Sequence, residues 1–437
     1  MIMIKMILKN LWNRRRQNAW LFIELILVTV LTWIMTDSVV VSVADRAMPL
    51  GYDADRLVIV NVASLPATSA GYQAEYDSVD ANRVAVETMV QHLRGLDGVE
   101  RACYLDENPL IGGTSSISTA MHIGNPAVDT LVRNVNMVQF EAGTEFFETF
   151  GIRASDGSPS AAELSRRSMD DNDIIISRQY GELFWPGENA CGKHFVDVRG
   201  NGDTVYSKVT GVVEGLRWLS PLRSYAVVFA NRTSSISAVE EFTVVLRLRA
   251  EVDHTDFLNS LRNRSDLRAG NFLVQTATDY TDFLYQTEED NAIHSGQNLM
   301  LLLAAFFLLN LILGTVGCFW LQTNRRVEEI GVLRSFGARR GHIVGMLVGE
   351  SVALTIAAYI IGVLAYLQYA LRNGLDDGFD NNAVANVADT WVSHFGEHFA
   401  IISAIVLVIL VVCVVIGTLI PAVRASRVNV ADALRDE

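Results

Sequence analysis

No G-x-x-x-x-G-K-[ST] run occurs in the 437 residues, so nothing in the sequence can cradle the phosphates of a nucleotide. Gly187-Glu-Asn-Ala-Cys-Gly-Lys193 has a passing likeness to it but does not complete the pattern. No nucleophile elbow is visible either, which removes one common route to a hydrolase. Cysteine is scarce, with four in all. Cys318 and Cys413 fall in apolar runs and read as filler, while Cys103 and Cys191 lie too far apart to define a framework and leave one disulfide open. Positive charge is short: 35 Lys and Arg stand against 49 Asp and Glu, a net of −14, which argues against nucleic acid as a partner. No small-x-small cleavage site follows the first apolar run before Asp45, so that run reads as an uncleaved span rather than a removed leader.

What the sequence does have is four long apolar runs, at residues 19–41, 298–321, 343–367 and 399–419. Each is long enough as a helix to cross about 30 Å of hydrocarbon. Between the first and the second lies a polar segment, 42–297, whereas the other connections are short. With 50% hydrophobic and 19% charged residues, the composition is too apolar for an ordinary soluble chain and too polar for a pure helical bundle. The expected fold class is therefore a membrane α-helical protein with four transmembrane helices plus a large extracytoplasmic α+β domain between helices 1 and 2. A soluble enzyme is excluded.

Orientation follows from Lys and Arg. Lys5, Lys9, Arg14, Arg15 and Arg16 precede the first run, and Arg325, Arg326, Arg334, Arg339 and Arg340 follow the second. Arg424, Arg427 and Arg435 follow the fourth. The connector 368–398 holds Arg372 against Asp376, Asp377, Asp380, Asp389 and Glu397. An amphipathic N-terminus (1–18), the connector 322–342 and the tail 420–437 are thus expected in the cytoplasm, with 42–297 and 368–398 outside. Segment 42–297 holds 21 basic and 36 acidic residues, so the acidic balance belongs to it.

Within that segment, residues 57–63 read as a strand, 82–96 as a helix with apolar residues at helical spacing, and 99–105 as a strand, making a β-α-β unit. Further strands are expected near 117–123, 131–140, 174–177, 208–213, 225–229, 242–248 and 272–276, with helices through 183 and over 255–267. Residues 154–173, rich in Ser, Asp and Ala, read as an exposed insertion. Residues 279–297 could extend the second span as a stalk helix. The domain is large enough for its own core and for two subdomains.

The strongest local signal is Asn324-Arg-Arg-Val-Glu-Glu-Ile-Gly-Val-Leu-Arg-Ser-Phe-Gly-Ala-Arg-Arg340. Ile330, Leu333 and Phe336 recur at helical spacing beside Glu329 and Arg334, and Gly337 ends the helix. Residue types alone leave two readings open: a basic interfacial connector, or a coupling helix that docks in a groove of a cytoplasmic partner. Three ionisable residues fall within spans. Glu24 and Glu350 are placed one to two turns from the cytoplasmic face and are functional candidates. Asp37 is placed near the outer interface and reads as structural. His394-Phe-Gly-Glu-His398 matches H-x-x-E-H, an inverted zinc-protease pattern. Gly396 weakens the helix it needs and no third ligand is evident, so an interfacial polar rim is the better reading and no metal is expected.

The stretch Glu329-Ile-Gly-Val-Leu-Arg-Ser-Phe-Gly-Ala338 closely resembles the motif of permeases in the MacB/FtsX family of ABC transporters. The tail Ile420-Pro-Ala-Val-Arg-Ala-Ser-Arg-Val-Asn-Val-Ala-Asp-Ala-Leu-Arg435 is similar to that family's closing signature. Ile174-Ile-Ile-Ser-Arg-Gln-Tyr-Gly-Glu-Leu-Phe-Trp-Pro-Gly187, Val209-Thr-Gly-Val-Val213 and Glu145-Phe-Phe-Glu-Thr-Phe-Gly151 are similar to its MacB-type periplasmic core domain. The resemblance implies a non-catalytic permease subunit of the bacterial inner membrane with both termini cytoplasmic. It would pair with a second copy or a related permease and bind a cytoplasmic ATPase in trans, which would carry the ATP and Mg, so that this chain holds no cofactor of its own. Glu328, Glu329, Gly331, Arg334, Gly337 and Ala338 would face that ATPase. A periplasmic adaptor or outer-membrane channel, and membrane lipid, are further implied partners. The implied function is mechanotransmission: ATP hydrolysis drives the periplasmic domain to export or extrude a small molecule, a peptide or a lipid-linked substrate. The alternative is a non-transporting, FtsX-like regulator that activates an envelope enzyme or senses a ligand.

Overall fold

The structure is a computed structural model. It describes residues 15–105, 110–113, 117–121, 133–141, 143–167, 170, 172–198, 204–220, 225–231, 240–262, 264, 267–324, 327–375 and 390–427. Along the chain run α1 (Arg15–Arg46), β1 (Leu57–Ser64), α2 (Val79–Arg94), β2 (Val99–Leu105), β3 (Ile117–Met121) and β4 (Arg133–Phe140). Then come α3 (Phe146–Phe150), α4 (Ala161–Arg166), β5 (Asp173–Ser177), α5 (Arg178–Phe184), β6 (His194–Val198) and β7 (Thr204–Val213). They are followed by β8 (Val227–Asn231), β9 (Glu241–Leu248), α6 (His254–Arg262), β10 (Arg268–Ala269), β11 (Phe272–Asp279) and α7 (Tyr280–Asp290). The last part is α8 (Ile293–Asn324), α9 (Val327–Ser335), α10 (Arg340–Asn373) and α11 (Phe395–Ser426). By its internal contacts the chain divides into a helical unit, up to Ala44 and from Ser295 onward, and an α+β unit built on Asp45–His294.

The α+β unit holds two sheets, ordered β10-β11-β1-β9-β2 and β3-β4-β8-β5-β7-β6. The first is antiparallel throughout, while the second is mixed, with β4–β8 and β5–β7 parallel. Leu57-Val-Ile-Val explains the place of β1. Four successive buried residues suit a strand covered on both faces. Leu57 and Ile59 face an aromatic core, and Val58, Val60 and Val62 face a second core under α2 and α6. The β-α-β reading needs amendment, because β9 lies between β1 and β2 and pairs antiparallel with both. Helix α2 starts earlier than its apolar spacing suggests, because the Ser78 side chain accepts from the Ala81 amide and caps it.

The Glu145-Phe-Phe-Glu-Thr-Phe-Gly151 motif forms the wedge between the sheets. Phe146, Phe147 and Phe150 are all fully buried, and Phe147 meets Phe140 and Phe229 edge-on with ring centroids 5.1 Å apart. Gly151 closes α3 at φ 72°, and a Cβ there would come 2.4 Å from Asp53 Oδ2, so only glycine fits. The exposed insertion expected over 154–173 is overturned at its centre. Ser160 and Glu163 form a capping box that starts α4, Leu164 is fully buried, and Ser165 Oγ accepts from the Phe147 amide at 3.1 Å. Composition misled there because one leucine and one cap outweigh a polar surrounding.

Arg217 of this unit is fully buried, at 0% exposure. Its guanidinium donates to the carbonyls of Asp45 (2.7 Å), Pro49 (3.1 Å), Ser220 (2.5 Å) and Met48, so one side chain gathers the chain that follows α1. Burial lowers its proton affinity from the ordinary value, against the pull of Tyr225 and Asp45. Glu288 is nearly as buried and pairs with Arg46 at 2.9 Å, with His294 Nε2 at 3.1 Å. The continuous stalk expected over 279–297 is broken: α7 ends at Asp290, and Ala292, at φ 57°, turns the chain before α8. Cys103 and Cys191 are both free thiols, and burial pushes the Cys103 thiol up to about 12.

In the helical unit, α1, α8, α10 and α11 are long and apolar enough to cross a membrane. Each overruns its apolar run at both ends, and α11 does so through Pro421. Their core gathers Leu21, Leu25, Trp33, Leu311, Leu354, Tyr366, Ile402, Val406 and Leu410. Two glycines set close approaches. A Cβ on Gly362 of α10 would lie 2.8 Å from Thr29 Cβ of α1, and one on Gly417 of α11 would lie 3.0 Å from the Ile312 carbonyl of α8.

Candidate functional site

Helix α9 is held by its own ends. The Phe336 amide donates to the Val332 carbonyl at 3.2 Å, the Gly337 amide to Arg334 at 2.9 Å and the Ala338 amide to Leu333 at 3.1 Å. Gly337 turns out of the helix at φ 87°, a conformation glycine adopts without strain. Ile330, 1% exposed, inserts into a cluster of Ile343 and Leu347 from α10 and Ala422 and Ala425 from α11, with Ala338 beside it. The short helix is thereby seated on the ends of two spans. Nearby, the Arg424 guanidinium of α11 lies 4.2 Å from the ring of Trp320 on α8.

The apolar spacing read as one stripe is in fact divided. Ile330 points in, while Leu333 and Val332 are 38% and 43% exposed and Phe336 is 87% exposed. Of the residues expected to face an ATPase, Gly331 is buried, Arg334 and Ala338 are half-buried and Gly337 is exposed. Glu328 and Glu329 lie in α9, but their side chains fall outside the described residues. Gly187–Lys193 carries no helix after it. The strand β6 follows and Lys193 pairs with Glu188, so the segment presents no helix N-terminus to a phosphate.

The charges within spans have three settings. Glu24 is half-buried, its carboxylate lodged where Gly314 of α8 leaves space: a Cβ there would lie 2.6 Å from Oε1. Glu350 is 3% exposed on the buried face of α10, beside Leu347, Ser351 and Leu354 in sequence spacing. Asp37, expected as an interfacial residue, is 1% exposed and meets His398 Nε2 at 2.5 Å through Oδ1. This corrects the polar-rim reading of His394-Phe-Gly-Glu-His398. His398 is 0% exposed, whereas the His394 side chain is 58% exposed and lies 3.9 Å from Glu397. The two histidines do not share a site, and among the described residues no group of three or more His, Cys, Asp or Glu could hold a metal ion. The one signal for the pair was a histidine in an apolar run opposite an aspartate in another, and no periodicity joins two helices 361 residues apart in sequence.

Residues 301–430, which carry α8 to α11, match the family model described as FtsX-like permease C-terminal. The last three long apolar helices of this chain are thus similar to an FtsX-like permease C-terminal domain. Solved structures with a likeness to the chain are a domain of a permease protein from Porphyromonas gingivalis (16% identity, 52% of this chain and 92% of that one, TM-score 0.31) and the periplasmic region of MacB from Actinobacillus actinomycetemcomitans (11%, 55% and 94%, TM-score 0.29). A third is the extracellular domain of the noncanonic ABC-type transporter YknZ from Gram-positive bacteria (15%, 50% and 100%, TM-score 0.25). No curated protein matches the sequence.

Proposed function

We propose that the chain is the membrane subunit of an ATP-driven permease complex, in which a separate cytoplasmic ATPase docks on α9 and its hydrolysis cycle drives the α+β unit. The work done is export or extrusion of a small molecule, a peptide or a lipid-linked substrate. The observation that carries this reading is the division of α9, anchored by Ile330 on α10 and α11 while Phe336 stands 87% exposed. An exposed aromatic on an anchored helix suits a groove in a partner. Force on Phe336 passes through Ile330 into two spans at once. Gly331 and Ala338 seat the helix, Gly337 ends it, and Arg334 with Glu328 and Glu329 flank the contact. Leu299, Leu302, Phe306, Leu309 and Leu313 of α8 are exposed, an apolar face on which a second permease copy packs.

The test is co-purification of the ATPase with the full chain and assay of hydrolysis. Phe336→Asp is expected to weaken association about thirtyfold, the loss of an anchor worth about 2 kcal/mol. Glu329→Lys with Arg334→Glu is expected to abolish stimulated hydrolysis. Unchanged association in both variants refutes the docking site. Substrate accumulation in a deletion strain supports transport, whereas altered activity of a cell-wall hydrolase without a transport defect points to the regulator.

A further inference from the structure

A cleft of about 570 Å³ opens in the α+β unit between α2 and residues 141–145. One wall is a single face of α2, from Val84 through Glu87 and Gln91 to Arg94, three or four residues apart. Ten residues at about 1.5 Å each make that wall about 15 Å long. The floor is Ala102 to Tyr104 of β2, the strand at the edge of its sheet. The far wall is the turn that leads into α3, and it is fixed in place. The Gly143 amide donates to the Ser165 carbonyl at 2.8 Å, and the Thr144 hydroxyl donates to the Glu141 carbonyl at 2.8 Å. Gly143 keeps the space beside it open, since no atom lies within 4 Å of where a Cβ would stand.

One end is closed by charge. Glu145 Oε1 accepts from Arg94 Nη2 at 3.0 Å and from Arg101 Nη1 at 2.9 Å, which ties α2, β2 and the far wall together. Glu145 Oε2 is buried and accepts no hydrogen bond among the described residues, so that wall holds an unmet acceptor. Along the rest of the length Glu87 and Glu141 add two carboxylates, and Glu87 forms no ion pair among the described residues. The cations of the lining are Arg94, already committed to Glu145, and His92 when protonated. Shape and lining together decide what fits. Small-molecule pockets are mostly apolar, whereas this cleft is long and mostly polar. Thr88, Gln91 and Thr144 can each both donate and accept, which suits the N–H and C=O groups of a backbone. An extended chain advances about 3.3 Å per residue, so the cleft takes about four or five residues. The carboxylates favour basic side chains on such a segment, and residues 42–297 as a whole share their sign, with 36 acidic residues to 21 basic.

We propose that the cleft between α2 and residues 141–145 is a binding site for an extended peptide segment that carries Lys or Arg. Glu87 and Glu141 pair with its basic side chains, and Thr88, Gln91 and Thr144 hold its backbone. The assignment concerns the α+β unit alone and does not depend on an ATPase at α9.

The test uses the full chain in nanodiscs of zwitterionic phosphatidylcholine, with empty nanodiscs as the blank. The probe is fluorescein-labelled Lys-Ala-Lys-Ala-Lys, read by anisotropy. Labelled Glu-Ala-Glu-Ala-Glu reverses the charge, and unlabelled spermine competes with charge but no backbone. The lysine peptide is expected to bind saturably and the glutamate peptide not at all. Glu87→Gln removes one charge without changing shape, and it is expected to weaken binding about threefold and to lessen its sensitivity to salt. Gln91→Trp, at an exposed position of α2, fills the cleft and is expected to abolish saturable binding. Arg83→Trp, exposed on the same helix but outside the lining, is expected to keep it. A lysine peptide that does not bind saturably overturns the proposal, as does binding that Gln91→Trp leaves intact or an equal loss in Arg83→Trp. Spermine that displaces the probe as well as the unlabelled peptide does also overturns it, since the cleft would then be a site for small amines.

Discussion

The two units each bury a charged group almost completely, and they satisfy it in opposite ways. In the α+β unit Arg217 is surrounded by backbone carbonyls of Asp45, Met48, Pro49 and Ser220. In the helical unit Asp37 meets the side chain of His398. A guanidinium keeps its proton in any protein setting, and carbonyls do not titrate, so the Arg217 arrangement is permanent. The Asp37–His398 contact instead joins side chains of two separate helices. The first staples a side chain to the backbone and the second pairs two helices.

Breaking the staple is expected to have the largest effect. Arg217→Met leaves four carbonyl contacts unmet and is expected to lower stability by about 3–5 kcal/mol in a thermal or denaturant melt. Arg217→Lys is expected to recover only part, since an ammonium cannot span the fork. Next come two phenylalanines that differ only in setting. Phe147→Ala empties the wedge between the sheets and is expected to lower stability by about 3–5 kcal/mol. Phe336→Ala is expected to stay within about 0.5 kcal/mol in the same melt while weakening ATPase association. Equal destabilisation by the two would mean that Phe336 is not free on the outside of α9.

The helical glycines sharpen the comparison on a smaller scale. Gly417→Val drives side-chain atoms against Thr315 and the Ile312 carbonyl and is expected to destabilise by about 1–3 kcal/mol. Gly317→Ala, with nothing within 4 Å of the new Cβ, is expected to be neutral or to stabilise by up to about 1 kcal/mol through helix propensity. The smallest effect belongs to Glu214, paired with Arg178 at 3.2 Å and 40% exposed. Burial raises its carboxyl pKa, but the Arg178 pair together with hydrogen bonds from Ser155 and Gln179 holds it below the ordinary value. A depressed folded pKa gives stability that is full above the unfolded carboxylate value and is lost as pH falls through the folded one. Glu214→Gln is therefore expected to flatten the acid limb of the stability curve slightly, below about pH 4, and to leave neutral stability within about 1 kcal/mol.

Much of the fold was legible because its signals are local. Apolar length marked the four spans, and unbroken β-branched runs marked β1 and β5. Helix α4 was missed, since one buried leucine among polar residues leaves no periodicity. The break at Ala292 was missed because an alanine at positive φ has no sequence signature. At the candidate site, α9 and its terminating Gly337 were readable from spacing and from glycine's freedom. That Ile330 turns inward and Phe336 outward was not, since a nine-residue helix with apolar residues on two sides has no single preferred face until α10 and α11 provide one.

The sequence alone determined that four helices are long and apolar enough to cross a membrane and that a large α+β unit follows the first, because apolar length and strand-like runs act through neighbouring residues. Only the tertiary structure decided that Asp37 meets His398, that Arg217 gathers the chain after α1, and that the phenylalanines of α3 fill the space between two sheets. Those pairings join residues far apart in the chain, and burial leaves each polar group no solvent to fall back on, so its partner is set by packing.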